Sequence, residues 1–142
     1  MTNNLNILIP DGDSTWALNV VNCLSLHKHL KLFVLSDTKQ TAVKYSRFVR
    51  SYERYPSPCS VDNRIVKINS QIEKHQIDIV LPIGEPEIGL LTEYKSKILH
   101  AKVVLLPELE MFKTGINKYT LFEFSKTHGL SVPSSCFIES KD

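Results

Sequence analysis

Two short acidic loops hold most of the chemistry within this chain's reach. Gly84-Glu85-Pro86-Glu87 sets two carboxylates two residues apart, after an apolar run and at the start of a helical pattern. At the carboxyl rim of a sheet, such a pair can bind an amine or another cationic group. Glutamates in a first helical turn, with proline at its start, also serve the helix alone. The residue pattern admits both readings. Asp11-Gly12-Asp13-Ser14 follows the first apolar run. A helix starting there presents free amides and a positive dipole end to an anion. One glycine falls short of a dinucleotide fingerprint, and no Gly-Lys-Ser/Thr sequence cradles phosphates. Two aspartates repel a phosphate unless a metal intervenes. The competing account is a tight turn with a helix cap at Asp13 or Ser14.

Three other groups of residues offer less. Ser36-Asp37 lies where an acid can hold a ribose hydroxyl, but without the glycine fingerprint it reads as a polar turn at a strand end. Lys39, Lys44, Arg47, Arg50 and Arg54 interleave with Tyr45, Phe48, Tyr52 and Tyr55. Basic and aromatic residues together bind single-stranded nucleic acid, while a solvated helix face with an aromatic anchor explains the same pattern. His27 and His29 fall on different helix faces, and His75, His100 and His128 are isolated, so no metal-ligand spacing exists. The three cysteines, Cys23, Cys59 and Cys136, form no metal or redox pair and read as packing residues.

The elements that position these loops alternate in type. Leu5–Pro10, Leu32–Leu35, Asp78–Pro82 and Lys102–Leu106 are short apolar runs, expected as buried strands. Trp16–Leu26 is expected as a helix buried on two sides. Val61, Ile65, Ile68 and Ile72 recur at helical spacing. Ile88, Leu91, Tyr94 and Ile98 mark a third helix, and Glu108–Phe112 a short fourth. Thr38–Ser60 reads as irregular. Strands alternating with helices predict an α/β fold, a Rossmann-like open parallel sheet with helices on both faces. Ligands of such sheets bind at the carboxyl ends of the strands, which places Asp11–Ser14, Ser36-Asp37 and Gly84–Glu87 on one rim.

With 142 residues the chain suffices for one domain with a real core. A net charge of +2 does not mark a nucleic-acid binder. The apolar runs are too short to cross a membrane, and the N-terminus has no secretory pattern. A cytoplasmic, reducing setting is expected, with neither nucleic acid nor membrane as partner.

The order of segments resembles the ATP-grasp ligase superfamily, especially its biotin carboxylase and carbamoyl phosphate synthase-like members. NILIPDGDSTWALNVVNCL is similar to the first strand, loop and helix of the family's preATP-grasp domain. DIVLPIGEPEIGLLTEY resembles its third-strand segment and Gly/Glu loop. MFKTGINKYTLFEFSKTHGLSVPSSCFI is similar to the linker, where an Asp-Lys pair precedes a helix and a Gly-hydrophobic-x-x-Pro turn into the nucleotide lobe.

The resemblance implies a preATP-grasp domain over residues 1–113. It implies a linker helix and the first strand of a truncated ATP-grasp lobe over 114–142. Lys118 matches the lysine that contacts nucleotide phosphates, with Asn117 in place of the family's aspartate. Gly12, Asp13, Ser14, Gly84 and Glu85 or Glu87 match the acceptor-substrate rim. ATP and Mg are implied for the intact protein, with carboxylate and amine substrates joined through an acyl phosphate. Their main ligands are expected beyond Asp142. This chain alone is therefore expected to hold no catalytic residue or metal, to bind no cofactor tightly and to be inactive. The alternative is a stand-alone Rossmann-like module that binds a nucleotide or partner without catalysis.

Overall fold

Alternation along the apolar runs dictates a sheet buried on both faces. In Leu5–Ile9 (β1), Ile7 and Ile9 join one apolar cluster and Leu8 the other. In Leu30–Ser36 (β2), Leu32 and Val34 fall with Ile7 and Ile9, while Phe33 and Leu35 fall with Leu8. The computed structural model describes residues 4–56, 58–99, 102–103, 106–136 and 138. The chain divides into two compact units, Met1–Leu106 and Pro107–Asp142.

The first unit is an α/β Rossmann-like domain. Among the described residues its sheet has five strands, β1, β2, Val49–Arg54 (β3), Ile79–Val80 (β4) and Lys102–Val103 (β5), in the order β3-β2-β1-β4-β5. Every pairing is parallel. The expected strand at Lys102–Leu106 is present at its start, and residues 104–105 lie outside the described residues. The chain builds outward from β1 to β3 and then returns to place β4 on the other side of β1. The crevice between β1 and β4 is therefore the topological switch point, where ligands of open α/β sheets bind.

Helices cover both faces. Ala17–Leu24 (α1) packs Ala17 and Val21 on one cluster, helped by Val43 from a 3₁₀ turn at Ala42–Tyr45. Val61–His75 (α2) packs Ile65, Ile68 and Ile72 on the other, with Leu91 of Glu85–Glu93 (α3). Ser60 Oγ caps α2 by accepting from Asn63 N at 3.2 Å. Gln76 ends it in the left-handed region, at φ 49°.

Three expectations change. β3 lies inside the stretch read as irregular. It is an edge strand whose residues, Val-Arg-Ser-Tyr-Glu-Arg, supply no apolar run. Its Glu53 accepts from Lys67 and Lys74 at 2.7 Å each, which ties the edge to α2. The helix α1 is buried along one side rather than two, the side that meets the sheet and Val43 of the 3₁₀ turn; Cys23 is exposed on it. Cys136 is exposed too, so of the three cysteines only Cys59 packs against the core.

The second unit holds Leu109–Ile116 (α4) and Lys118–Thr127 (α5). Asn117 Oδ1 caps α5 by accepting from Tyr119 N at 2.9 Å and Thr120 N at 3.2 Å. Gly129, at φ 70°, follows its end, the conformation that glycine adopts without strain. Residues 131–136 run on without a strand, and residue 137 lies outside the described residues.

Gly12 is required by contact rather than by dihedral. A Cβ there would overlap Val34 Cγ1 and lie 2.9 Å from the Leu35 carbonyl oxygen. Gly12→Ala is expected to destabilise the domain by about 1–3 kcal/mol through overpacking. A urea midpoint unchanged from wild type would show that the β1 loop does not press on β2 as described.

Candidate functional site

The carboxyl rim is assembled from single residues contributed by each strand end. At the switch point, the Asp11 carboxylate accepts from Ile83 N at 3.0 Å and Gly84 N at 2.6 Å. It thereby takes the position that a ligand anion would take at the N-terminus of α3. Within α3 itself, Glu85 N has no hydrogen-bond partner among the described residues. Pro86 has no amide N–H, and Glu87 N bonds back to Gly84 O at 3.1 Å. Asp11 is itself buried, and burial raises its pKa against the opposing backbone bonds from Gly84 and Ile83.

The second half of the rim centres on Arg64 of α2. Its Nε donates to both Glu87 oxygens, at 2.9 and 3.3 Å, and its Nη1 to both Asp37 oxygens, at 2.7 and 2.9 Å. The guanidinium lies over the Tyr55 ring, 4.0 Å from its centroid. Tyr55 Oη donates to Pro10 O at 2.7 Å. The end of β1, the end of β2, the residue after β3 and the start of α3 thus meet at one cation.

The expected site residues separate by role. Gly12 is buried against β2, and its N–H donates to Leu35 O at 2.7 Å. Asp13 and Ser14 do not cap α1, whose N-cap residue is Trp16 without a side-chain bond. Asp13 Oδ1 instead accepts from Ser36 Oγ and Asp37 N, both at 3.2 Å, while Ser14 Oγ accepts from Trp16 N at 3.4 Å. Two backbone turns between Asp13 and the helix put its carboxylate over β2 instead of the first helical amides. Gly84 brings the two loops together, for a Cβ on it would meet Asp11 Oδ2 at 3.3 Å and Ser14 Oγ at 3.9 Å.

Glu85 and Glu87 part company. Glu87 shares the inner face of α3 with Leu91, is 4% exposed and is committed to Arg64. Glu85 is exposed, without a partner among the described residues. Asp37 is a clamp on Arg64 rather than a free turn residue. Sequence reasoning missed Arg64; it placed Asp11 on the rim and Tyr55 in the basic-aromatic stretch without the role either takes here. Nothing in the spacing of α2 distinguishes Arg64 from a surface arginine. Glu87, by contrast, stands four residues before Leu91, a phase that predicts burial.

Lys118 lies on the second unit. It is exposed at the first turn of α5, beside a groove formed with Leu121, Phe122, Val132 and Pro133. No group of three His, Cys, Asp or Glu side chains able to hold a metal ion occurs among the described residues. No described helix is long and apolar enough to cross a membrane. Cys59 is no activated nucleophile, because burial raises its thiol pKa.

With this geometry in hand, similarity to known proteins adds the fold class. The chain superposes on a solved structure titled as an L-amino acid ligase from Bacillus licheniformis, with a TM-score of 0.64 and 13% identity. The match covers 93% of this chain and 30% of the ligase chain, so this chain spans under a third of that protein's length. At that identity the likeness establishes a shared Rossmann-like fold. No protein-family model and no curated protein matches the sequence.

Burial pushes the Glu87 carboxyl up to about 7, against the lowering effect of Arg64. The folded state therefore holds this proton more tightly than the unfolded state. Its contribution to stability is complete below about pH 4.5 and is lost as pH rises through about 7. Glu87→Gln is expected to remove up to one proton's worth of slope from the pH dependence of unfolding free energy between pH 5 and 7. Urea titrations across that range check this; an identical slope in the variant contradicts the assignment.

Proposed function

We propose that this chain is the acceptor-side, preATP-grasp-like domain of an ATP-dependent ligase of the ATP-grasp class. In that reading the intact enzyme joins a carboxylate to an amine. The ATP-grasp assignment rests on the segment order of the sequence, and the fold shared with a ligase supports it. The observation that carries the acceptor-side role is Asp11. Its carboxylate accepts from Ile83 N and Gly84 N, so the entry to α3 at the switch point already holds a negative charge of the chain's own. Asp13, Asp37, Glu85 and Glu87 stand on the same rim, with Arg64 paired to Asp37 and Glu87 and Arg54 bonded to the Asp37 carbonyl. A rim of that charge repels a phosphate and favours an ammonium group. This argues against a stand-alone nucleotide module.

Within the rim, Asp11, Asp37 and Glu87 are positioning groups. Glu85, exposed and without a partner among the described residues, is the group that meets an amine, with the second oxygen of the exposed Asp13 beside it and Ser14 and Gly84 shaping the floor. The α5 segment is the bridge to a nucleotide lobe, and Lys118 is its phosphate contact. When bound elsewhere in the intact enzyme, ATP with Mg supplies the phosphoryl group that activates the carboxylate. This chain's own residues hold and orient the amine, and Lys118 meets a phosphate. The cytoplasm is the proposed setting.

Isothermal titration of this chain with Mg-ATP is expected to show no micromolar binding. Micromolar affinity would mean that the chain carries a nucleotide site of its own. In an intact ligase carrying this domain, Glu85→Gln is expected to raise the KM for the amine about tenfold, the loss of one charge-assisted hydrogen bond. The KM for ATP should stay unchanged; a rise in the ATP constant instead would remove Glu85 from the acceptor side.

A further inference from the structure

Charge is distributed unevenly in the first unit. Residues 14–52 contain six lysines and arginines and a single acid, Asp37, although the whole chain has 17 and 15. Asp37 is bound to Arg64 and does not neutralise its neighbours. The next acid, Glu53, is bound to Lys67 and Lys74 of α2. Four of the cations are exposed without an acidic partner among the described residues: Lys39 before the 3₁₀ turn, Lys44 in it, Arg47 after it and Arg50 on the edge strand β3. The helix beside that turn, α1, carries no acid either.

The aromatic residues in this segment fall into two groups. Tyr52 and Tyr55 are anchors: Tyr52 Oη donates to Thr38 O at 2.8 Å, and Tyr55 is buried. Tyr45 and Phe48 anchor nothing, being 71% and 40% exposed. Their turn is nevertheless well held. Val43 is buried under it, Ser46 N donates to Val43 O at 3.1 Å, and Val49 N donates to Ser46 O at 3.1 Å. Each exposed ring has its neighbour's cation over it, Lys44 at 5.6 Å from Tyr45 and Arg47 at 4.9 Å from Phe48. A solvated face needs none of this. The informative feature is the combination, two exposed rings and four cations without acidic partners on one held turn.

We propose that the turn at Lys44–Arg50, with Lys39, is a docking surface for single-stranded nucleic acid. Bases stack on Tyr45 and Phe48, and the four cations meet phosphates. An acidic polypeptide would satisfy the cations and leave the rings unused. An anionic membrane would draw the rings into hydrocarbon together with the charges that lie over them, which is costly. The surface is separate from the acceptor rim, and its test does not depend on the ligase reading.

The test is fluorescence anisotropy of the full chain with a labelled oligo-uridine and a labelled oligo-thymidine. Binding is expected at low salt, with a log–log salt slope of about −3 for four phosphate contacts on a single strand. Tyr45→Ser with Phe48→Ser should weaken it about tenfold or more, from the loss of two stacked bases. Lys44→Gln with Arg47→Gln should reduce the slope by about one to two units. Circular dichroism of both variants should match wild type, because all four positions are exposed. No binding at low salt overturns the proposal, as does binding to both oligomers that the aromatic variant leaves unchanged. Phosphatidylserine vesicles or polyglutamate binding more tightly than either oligomer also overturns it, in favour of a membrane or an acidic protein.

Discussion

The rim of this domain depends on one arginine. Arg64 is held by two carboxylates from different elements and stacked on a tyrosine that is itself bonded to β1. Removing one partner of such a half-buried ion pair typically costs about 3–5 kcal/mol, because the remaining charges stay desolvated. Here two acids would be left facing each other with Asp11 nearby. The contact therefore does more than add stability. It fixes the relative positions of the β2 end and the α3 start, and so the width of the crevice between the loops that follow β1 and β4.

Asp11 complements this from the other side. A parallel sheet with helices packed on it leaves free amides at helix N-termini along its carboxyl edge. Many folds of this class hand those amides to a phosphate. This chain sets its own carboxylate at the entry to α3, 2.6 Å from Gly84 N. The same architecture is thereby turned from anion binding toward an acidic rim. The functional reading rests on that substitution of an internal group for a ligand, more than on the fold it shares with a ligase.

The elements with apolar alternation or helical spacing were legible in the sequence. These are β1, β2, α2, the start of α3, and α5 with its Asn117 cap and Gly129 stop. β3 was not, because an edge strand need not be apolar, and Val49–Arg54 reads as polar chain. Nor were Arg64, Tyr55 and Asp11 legible as a set, since they come together only through strand order and the return of the chain across β1. The distinction between Glu85 and Glu87 was half-legible. Helical phase places Glu87 with Leu91, but only the guanidinium opposite explains how a carboxylate can stay there. The exposed rings Tyr45 and Phe48 could not be told from the anchors Tyr52 and Tyr55 by composition, because all four sit in the same basic stretch.

The central claim is that Asp11 closes the switch point to phosphate and leaves an amine-facing rim. Amide chemical shifts of Ser14, Ile83, Gly84 and Glu85, followed by heteronuclear NMR, test it most directly. Adding Mg-ATP is predicted to leave these four resonances in place, while an L-amino acid at high concentration shifts Ser14, Gly84 and Glu85. Large shifts of Ile83 and Gly84 with Mg-ATP, and none with amino acids, would contradict the account.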